Sequence, residues 1–549
     1  MKKILIGILL ILFASSAQAE NQIGGVVTGT GRSGSLIVVA ADASEWFRKN
    51  GDYFCDGTAD EVQINAAITA LPDTTNGTVN VGRADYSLPE PYWGYAKNQG
   101  GKVLLSDGSF ILNGTITITD KSDVCLQGQG TSTVLYNAQT DSSDAIKYVN
   151  DDSGIYCRVI IRDLLIEGNS ASGDGIYLAG VNYREVHNVH AQNNGKSGIH
   201  FAGHLTGNED VENNLISNCQ LQRNGYYGIY LYNTHETLIS NSMIEYNDIA
   251  GFYLNDCVTA LISNCGIEDN DTLGGATQIL IEADSTNSGW HQISNNNIEG
   301  SIEFLMSATH APSGVQITGN NILGYISNIG REEGDKNLES LVISDNVFTR
   351  TGSNNDYSVN LTRTANAVVS NNVFGSTLFG PAVGISIDLS YGSVVTGNTG
   401  WTTSPFYYTG NHNCAGDAIV NNNVIKVESD SRDWPFGVYV RHPGGAGRVR
   451  VYNNVFSRYN TTDMLYGILV NTGTTAVSVE CKNNDISGAT TAYRDSTGFA
   501  FVDNGLNIKT ISALSDTTGF PKNKNTIFMF SGCDTLYTYT TAYTIKHIP

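Results

Sequence analysis

LISNCQLQRNGYYGIYLYNTHETLISNSMIEYNDIAGFYLNDCVTALISNCGIEDN, residues Leu215–Asn270, is the stretch that decides the fold. Ile216-Ser217-Asn218, Ile239-Ser240-Asn241 and Ile262-Ser263-Asn264 follow one another at intervals of 23 residues. After each comes an apolar residue (Leu221, Ile244, Ile267) and then an asparagine (Asn224, Asn247, Asn270). Gly228-Ile229-Tyr230-Leu231 and Gly251-Phe252-Tyr253-Leu254 complete the unit. A repeat of this length marks a solenoid, in which one coil buries its apolar face only against the coils above and below.

Working outward, the same phase has anchors at Ile161, Val186, Ile216, Ile239, Ile262, Ile293, Ile317, Ile343, Val369, Val395, Val420, Val451 and Cys481, with a weaker one near Phe501. An Asn, or Asp163 in the first coil, follows each anchor by two or three residues and is expected to hydrogen-bond its counterpart one coil away. About fourteen coils, with a strand spacing of about 4.8 Å, predict a rod about 65 Å long. Cys219 and Cys265 share one phase of the repeat with Ser242 between them, so they read as small stacked core residues.

The ends differ from the middle. Lys2-Lys3, an apolar run from Ile4 to Phe13 and Ala17-Gln18-Ala19 read as a secretory signal over residues 1–19. Its apolar run is too short to span a bilayer. Residues 20–35 read as a flexible leader, 36–135 as an N-terminal cap with the first coils, 136–505 as the solenoid, and 506–549 as a closing segment containing Tyr537, Tyr539 and Tyr543. In Thr58–Leu71, Thr58 or Asp60 is placed to cap a helix with Val62, Ile64, Ala67, Ile68 and Leu71 on one face.

Formal charge is −22, and loss of the two signal lysines takes it to about −24. Nucleic acids and anionic membranes require a basic footprint, which so acidic a chain lacks. A polyanionic glycan is disfavoured for the same reason unless a metal or a local basic patch intervenes. The nine cysteines show no metal-binding spacing, and an odd number leaves at least one thiol unpaired.

CDGTADEVQINAAI (55–68), GGKVLLSDGSF (100–110) and VCLQGQGTSTVL (124–135), with the later GIxL and NNxI phrases, resemble pectate-lyase-like proteins. The resemblance covers roughly residues 36–505. It implies an all-β, right-handed parallel β-helix whose open N-terminal end is covered by a short helix. The superfamily includes lyases, hydrolases, epimerases, tailspikes and adhesins. The Asp and Arg motif of pectate lyases is not recognisable in this chain. Neither are the paired-Asp, Gly-His-Gly and Arg-x-Lys motifs of polygalacturonases; Gly203-His204-Leu205 is a partial echo.

Strand alternation sorts side chains into surface columns. The middle residue of each GIxL strand points outward, giving Tyr177, His200, Tyr230, Tyr253, Leu280 and Glu303; two positions on stand Ala179, Ala202, Tyr232, Asn255 and Glu282. By resemblance this sheet borders a polysaccharide groove. Tyrosine faces would stack on sugars there, His200, Tyr230 and Tyr253 would serve as base and acid, and Glu282 and Glu303 would be the carboxylates of a hydrolase. Loops 202–213 and 282–291 bring His204, Glu209, Asp210, Asp284, Trp290 and His291 towards the column, with Trp290 a further sugar contact.

Three other features enter the functional reading. Glu245, Glu268 and Glu299 form an outward acidic file that a hard cation such as Ca2+ would bridge. Tyr439, Arg441 and His442, with Arg432, Arg448, Arg450 and Arg458, form a basic patch suited to a uronate or sulfate. Leu215, Leu238, Leu261, Val342, Val368, Val394 and Ile419 precede anchors and are expected to face outward as an apolar stripe, which a homotrimer would cover. The reading is thus a secreted polysaccharide lyase or hydrolase, set against a non-catalytic glycan-binding adhesin or spike and a purely structural protein.

Overall fold

The computed structural model describes residues 35–71, 101–119, 124–149, 158–181, 183–203, 213–272, 277–283, 288–306, 309–329, 338–349, 358–362, 364–375, 384–388, 392–402, 407–409, 418–427, 436–442, 448–458, 466–472, 478–486, 491–495 and four short strands beyond 507. These fall in one compact unit, Gly34–Pro549. The expected signal and most of the leader lie outside the described residues, as do the insertion at 72–100 and the loop residues His204, Glu209, Asp210 and Asp284.

Parallel pairing from coil to coil follows directly from the repeat. Ile216 pairs with Ile239, Ile239 with Ile262, Ile262 with Ile293, and the register continues through Ile317, Ile343, Val369, Val395, Val420 and Val451 to Cys481. Every anchor in that series is buried, because stacking the coils turns an apolar position into an apolar column. The GIxL strands stack into a separate fifteen-stranded parallel sheet, one rung more than the fourteen coils expected. Most of the other strands form a 29-stranded sheet, in which the ten-residue strands Arg158–Glu167 and Tyr183–Gln192 run through a corner without a break.

The two asparagine positions have separate tasks. The residue two after the anchor adopts left-handed backbone, with φ of 53° at Asn218, 51° at Asn241, 55° at Asn264 and 56° at Asn295 and Asn371. Asparagine is among the few residues that tolerate this region. The residue three after the anchor is buried and builds the ladder. Asn296, Asn320, Asn346, Asn372, Asn398, Asn423, Asn454 and Asn484 each pass an amide hydrogen bond to the next, at 2.8–3.0 Å. Cys219, Ser242 and Cys265 occupy the earlier rungs of this column, and Cys265 N–H donates to Asn296 Oδ1 at 2.9 Å. A second ladder, Asn194–Asn224–Asn247–Asn270, lines the turns that lead into the GIxL strands.

At the N-terminal end, helix α1 (Glu45–Asn50) had no counterpart in the sequence reading, while α2 (Glu61–Ala70) is shorter than expected. Asp60 precedes α2 but its carboxylate does not cap it. That carboxylate accepts from Gly57 N–H at 3.0 Å and Ile111 N–H at 2.9 Å. Asn65 donates to Thr115 O at 3.0 Å and accepts from Thr117 N–H at 2.8 Å, so its amide stands in for a neighbouring strand. This satisfies backbone that an open edge would leave unpaired. Ile64, Ala67, Ile68 and Leu71 enter the core as expected, but Val62 is 58% exposed and lies off that face.

Beyond residue 507, the strands Ile508–Ile511, Ile527–Phe530, Leu536–Tyr539 and Ile545–Ile548 form their own four-stranded sheet with two antiparallel pairs. The expected apolar stripe is not continuous. In register between Leu261 and Val342 stand Gln292 and Gln316, both exposed, and Arg450 follows Ile419. It therefore divides into two shorter patches.

Candidate functional site

Six rungs of the fifteen-stranded sheet carry the aromatic column: Ile176–Ala179, Ile199–Ala202, Tyr227–Tyr232, Ala250–Asn255, Thr277–Glu282 and Ser301–Leu305. Their register places Tyr177 beside His200, His200 beside Tyr230, Tyr230 beside Tyr253, Tyr253 beside Leu280 and Leu280 beside Glu303. The flanking apolar residues Ile229, Leu231, Phe252 and Leu254 are fully buried, which fixes the middle residue on the outer face. Glycine opens the phrase for lack of space. A Cβ on Gly228 would lie 2.3 Å from the Ile244 side chain and 2.8 Å from Gly251 O.

The rings stack on one another. His200 and Tyr230 have centroids 4.3 Å apart and planes 24° apart; Tyr230 and Tyr253 are 5.0 Å and 11° apart. Tyr177 meets His200 edge-on at 4.7 Å, and Lys147 Nζ sits 5.4 Å from the Tyr177 ring centre. Tyr227, which the column reading missed, packs against Tyr253 at 4.9 Å and Tyr230 at 5.5 Å. The expectation that these faces stack on sugars therefore needs correction. Parallel rungs bring identical positions to ring-stacking distance, so both faces of Tyr230 and one face each of His200 and Tyr253 are taken by their neighbours.

Polar partners give the column its chemistry. His200 Nδ1 lies 2.9 Å from Asp174 Oδ2, and Asp174 also accepts from Ser197 N–H at 2.7 Å through its other oxygen. An ionised carboxylate only accepts, so Nδ1 carries the proton and the neutral ring keeps its lone pair on Nε2. Asp174 belongs to the turn before its strand, in Gly173-Asp174-Gly175, and strand alternation gave no signal for it. Tyr253 donates its hydroxyl proton to Glu282 and accepts from Asn255 Nδ2 at 3.0 Å. Glu303, only 7% exposed, accepts from Ser301 Oγ at 2.9 Å and Tyr325 OH at 3.0 Å. Burial raises the Tyr227, Tyr230 and Tyr253 hydroxyls above the ordinary tyrosine range, and Glu282 adds to the rise at Tyr253. The rise favours the protonated phenol at all three, and Tyr253 donates its proton to Glu282.

Tyr232 is 42% exposed and Trp290 63% exposed, both at the exit edge of the sheet. His291 is fully buried rather than displayed on its loop; its Nδ1 accepts from Ala260 N–H at 3.2 Å. Tyr439 continues the register beside Tyr408 and is 4% exposed. Arg441 and His442 lie on the strand Phe436–His442, with side chains outside the described residues. Arg448 is engaged by Glu480 at 2.5 Å, so this member of the basic patch serves an ion pair.

The acidic file is in register from Gln222 through Glu245 to Glu268. Glu268 accepts from Asn297 Nδ2 at 2.9 Å, and Glu299 falls just past the strand Asn297–Ile298. Among the described residues no group of three or more His, Cys, Asp or Glu is placed to hold a metal ion. No helix of the described residues is long and apolar enough to cross a membrane.

A sequence model described as the right-handed beta helix region matches residues 144–322, the segment that carries the whole aromatic column. The register above makes the described residues a parallel β-solenoid, and its segment 144–322 matches the right-handed beta helix region. No curated protein sequence matches it. Among solved structures it is similar to the Agl-KA catalytic domain, at 15% identity over 76% of this chain and 66% of that one, with a TM-score of 0.38. The A-module of the Azotobacter vinelandii mannuronan C-5 epimerase AlgE4 matches at 14% identity over 74% and 91%, TM-score 0.30. A tailspike of E. coli bacteriophage HK620, solved with a pentasaccharide, matches at 11% identity over 78% and 74%, TM-score 0.41. Identities and overlaps this low carry no statement about activity.

Proposed function

We propose that the chain is an exported, polysaccharide-active β-helix protein that hydrolyses a neutral glycan on the outer face of the GIxL sheet. The observation that carries this reading is a pair of carboxylates on adjacent rungs beside the aromatic column, each held by a tyrosine hydroxyl. Tyr253 donates to Glu282, and Tyr325 donates to Glu303. Glu282 and Glu303 are diagonal neighbours in register, about 7–8 Å apart along the backbone. From backbones so spaced, two glutamate side chains can set their carboxyl groups at the separation of about 6.5–9.5 Å found in inverting hydrolases, which leaves room for the attacking water. One carboxyl group protonates the leaving oxygen while the other activates water.

The surroundings support a neutral ligand. Asp174, Glu282 and Glu303 line the column, whereas Lys147 stands at its first rung and Arg184 is sealed in the interior. Elimination from a uronate needs a positive or protonated group against the sugar carboxylate, beside the base.

The His200–Asp174 dyad supports a second reading, base-catalysed elimination, since a neutral ring with its proton on Nδ1 has the Nε2 lone pair to accept a proton. His200 and Glu282 stand three rungs apart, about 14 Å, so they do not act on one bond. Incubation of the mature protein with a panel of neutral and acidic polysaccharides separates the readings. Hydrolysis releases reducing ends without unsaturated uronates and falls at least about a hundredfold in Glu282→Gln and Glu303→Gln. Unsaturated products lost in Asp174→Asn, with Glu282→Gln active, assign elimination instead. Retention without cleavage identifies a glycan-binding adhesin or spike. The two apolar patches on the long sheet support side-by-side association as a homotrimer in any of these cases.

A further inference from the structure

Because the rings of the column stack on one another, a sugar has to find its platforms elsewhere. Two aromatic side chains at the exit edge of the GIxL sheet stay exposed, Trp290 at 63% and Tyr232 at 42%, the latter with its ring tilted against Tyr230 at 6.4 Å. Trp290 also occupies a backbone position of unusual demand. The corresponding turn is left-handed on rung after rung, with φ of 46° at Glu236, 57° at Thr259, 66° at Gly314, 56° at Ser340, 57° at Asn366 and 67° at Gly392. Trp290 sits in that series at φ 59°. A bulky side chain is poorly suited to this region, where glycine and asparagine are at ease. Strained backbone of this kind concentrates at binding sites.

Gly314 shows how the indole is held. A Cβ at Gly314 would lie 2.7 Å from Trp290 Cε3, 3.0 Å from Cδ2 and 3.1 Å from Cζ3. Nearly equal distances to three bonded ring atoms put that point over the ring face, not at its edge. One face of the indole therefore rests on the Gly314 backbone and the other is turned to solvent. The turn is tied to the site, since Ser288 Oγ donates to Glu282 O at 3.4 Å. Tyr232, Asn255 and Glu282 are in register on consecutive rungs, which sets Tyr232 about 10 Å from the Glu282 rung. Asn255, on the rung between, is buried, and its Oδ1 has no partner among the described residues.

We propose that Tyr232 and Trp290 are the sugar-stacking platforms of a glycan subsite along the exit edge of the sheet, with Glu282 hydrogen-bonding a sugar hydroxyl between them. The ligand class is a neutral pyranose chain, whose apolar C–H faces suit open aromatic rings. This inference rests on the polysaccharide reading above. Gly314 enters as a positioning residue, because only a residue without Cβ lets the indole lie down.

The test uses the full mature chain and oligosaccharides cut from the neutral polysaccharide of the panel that the wild type retains or degrades. Trp290→Ala and Tyr232→Ala should each weaken binding about tenfold, whereas Trp290→Phe retains most of it. Bound oligosaccharide should shield a tryptophan from acrylamide in the wild type and not in Trp290→Phe. Gly314→Ala should match Trp290→Ala in affinity, with a melting curve checking that its coil is intact. If the wild type acts on a glycan and both platform variants bind it within about twofold, the subsite is wrong and the polysaccharide reading stands. If the wild type neither binds nor cleaves any member of the panel, the polysaccharide reading fails and the subsite with it.

Discussion

Replacing Asn224 by alanine tests whether the second asparagine ladder holds the site strands. Asn224 is fully buried, and its Oδ1 accepts from Asn194 N–H at 3.2 Å and Asn194 Nδ2 at 2.9 Å. Its Nδ2 donates to Ala191 O at 3.3 Å and Asn247 Oδ1 at 2.8 Å. Alanine strands two buried groups, Asn194 N–H and Asn194 Nδ2, while Ala191 lies on a paired strand and Asn247 Oδ1 still receives Asn224 N–H. Each stranded group costs about 1–3 kcal/mol, so a loss of about 3–5 kcal/mol is expected once the small void is included. Ser242 supplies the internal control: in the neighbouring ladder its Oγ accepts from Cys219 N–H at 3.1 Å. Asn224→Ser should therefore restore the acceptor and recover about half the loss. Denaturant midpoints give the stability difference, and hydrogen exchange of the Asn194 amide gives the local effect. Repeat arrays lose cooperativity, so the local measurement is the sharper one. An alanine variant within about 1 kcal/mol of wild type, or a serine variant no better than alanine, would refute this account of the ladder.

Two further predictions concern buried titratable groups. Burial lowers His291 to a pKa of about 4, against about 6.5 in an unfolded chain. Above pH 6.5 both states are neutral; below it the unfolded chain binds a proton that the folded one refuses. Stability is thus lost as pH falls from about 6.5 to 4, by about 3 kcal/mol, and levels off below. His291→Asn, which keeps an acceptor for Ala260 N–H, should lack this slope, and equal slopes in the two proteins would reject the assignment. Cys219, Cys257 and Cys265 are free and buried, their thiols pushed up to about 12, 11 and 11 by desolvation. Alkylating reagents should reach them only on unfolding; peptide mapping that finds rapid native labelling at any of the three would show that its coil opens.

Much of the site was legible one residue at a time. Strand alternation in Gly228-Ile229-Tyr230-Leu231 put Tyr230 outside, and the common repeat phase put His200 and Tyr253 beside it. Asp174 was not legible, because it reaches His200 from a turn, where alternation does not apply. Nor was the burial of Tyr439 and His291: their positions in the repeat resemble exposed ones, and only the surrounding packing closes them. The asparagines after each anchor were read as one feature. Backbone conformation divides them into left-handed turn residues such as Asn295 and ladder residues such as Asn296.

The sequence by itself determined the coil, its register and its inner face, because a solenoid stacks like on like and periodicity then fixes each residue's neighbours. Only the tertiary structure decided what the outer face offers. Whether Tyr230 and Tyr253 present faces or edges depends on the distance between rungs and the tilt of the rings. Whether Trp290 lies flat depends on the missing Cβ of Gly314, which belongs to the next coil. Those are relations between residues brought together by stacking, and no single coil of sequence contains them.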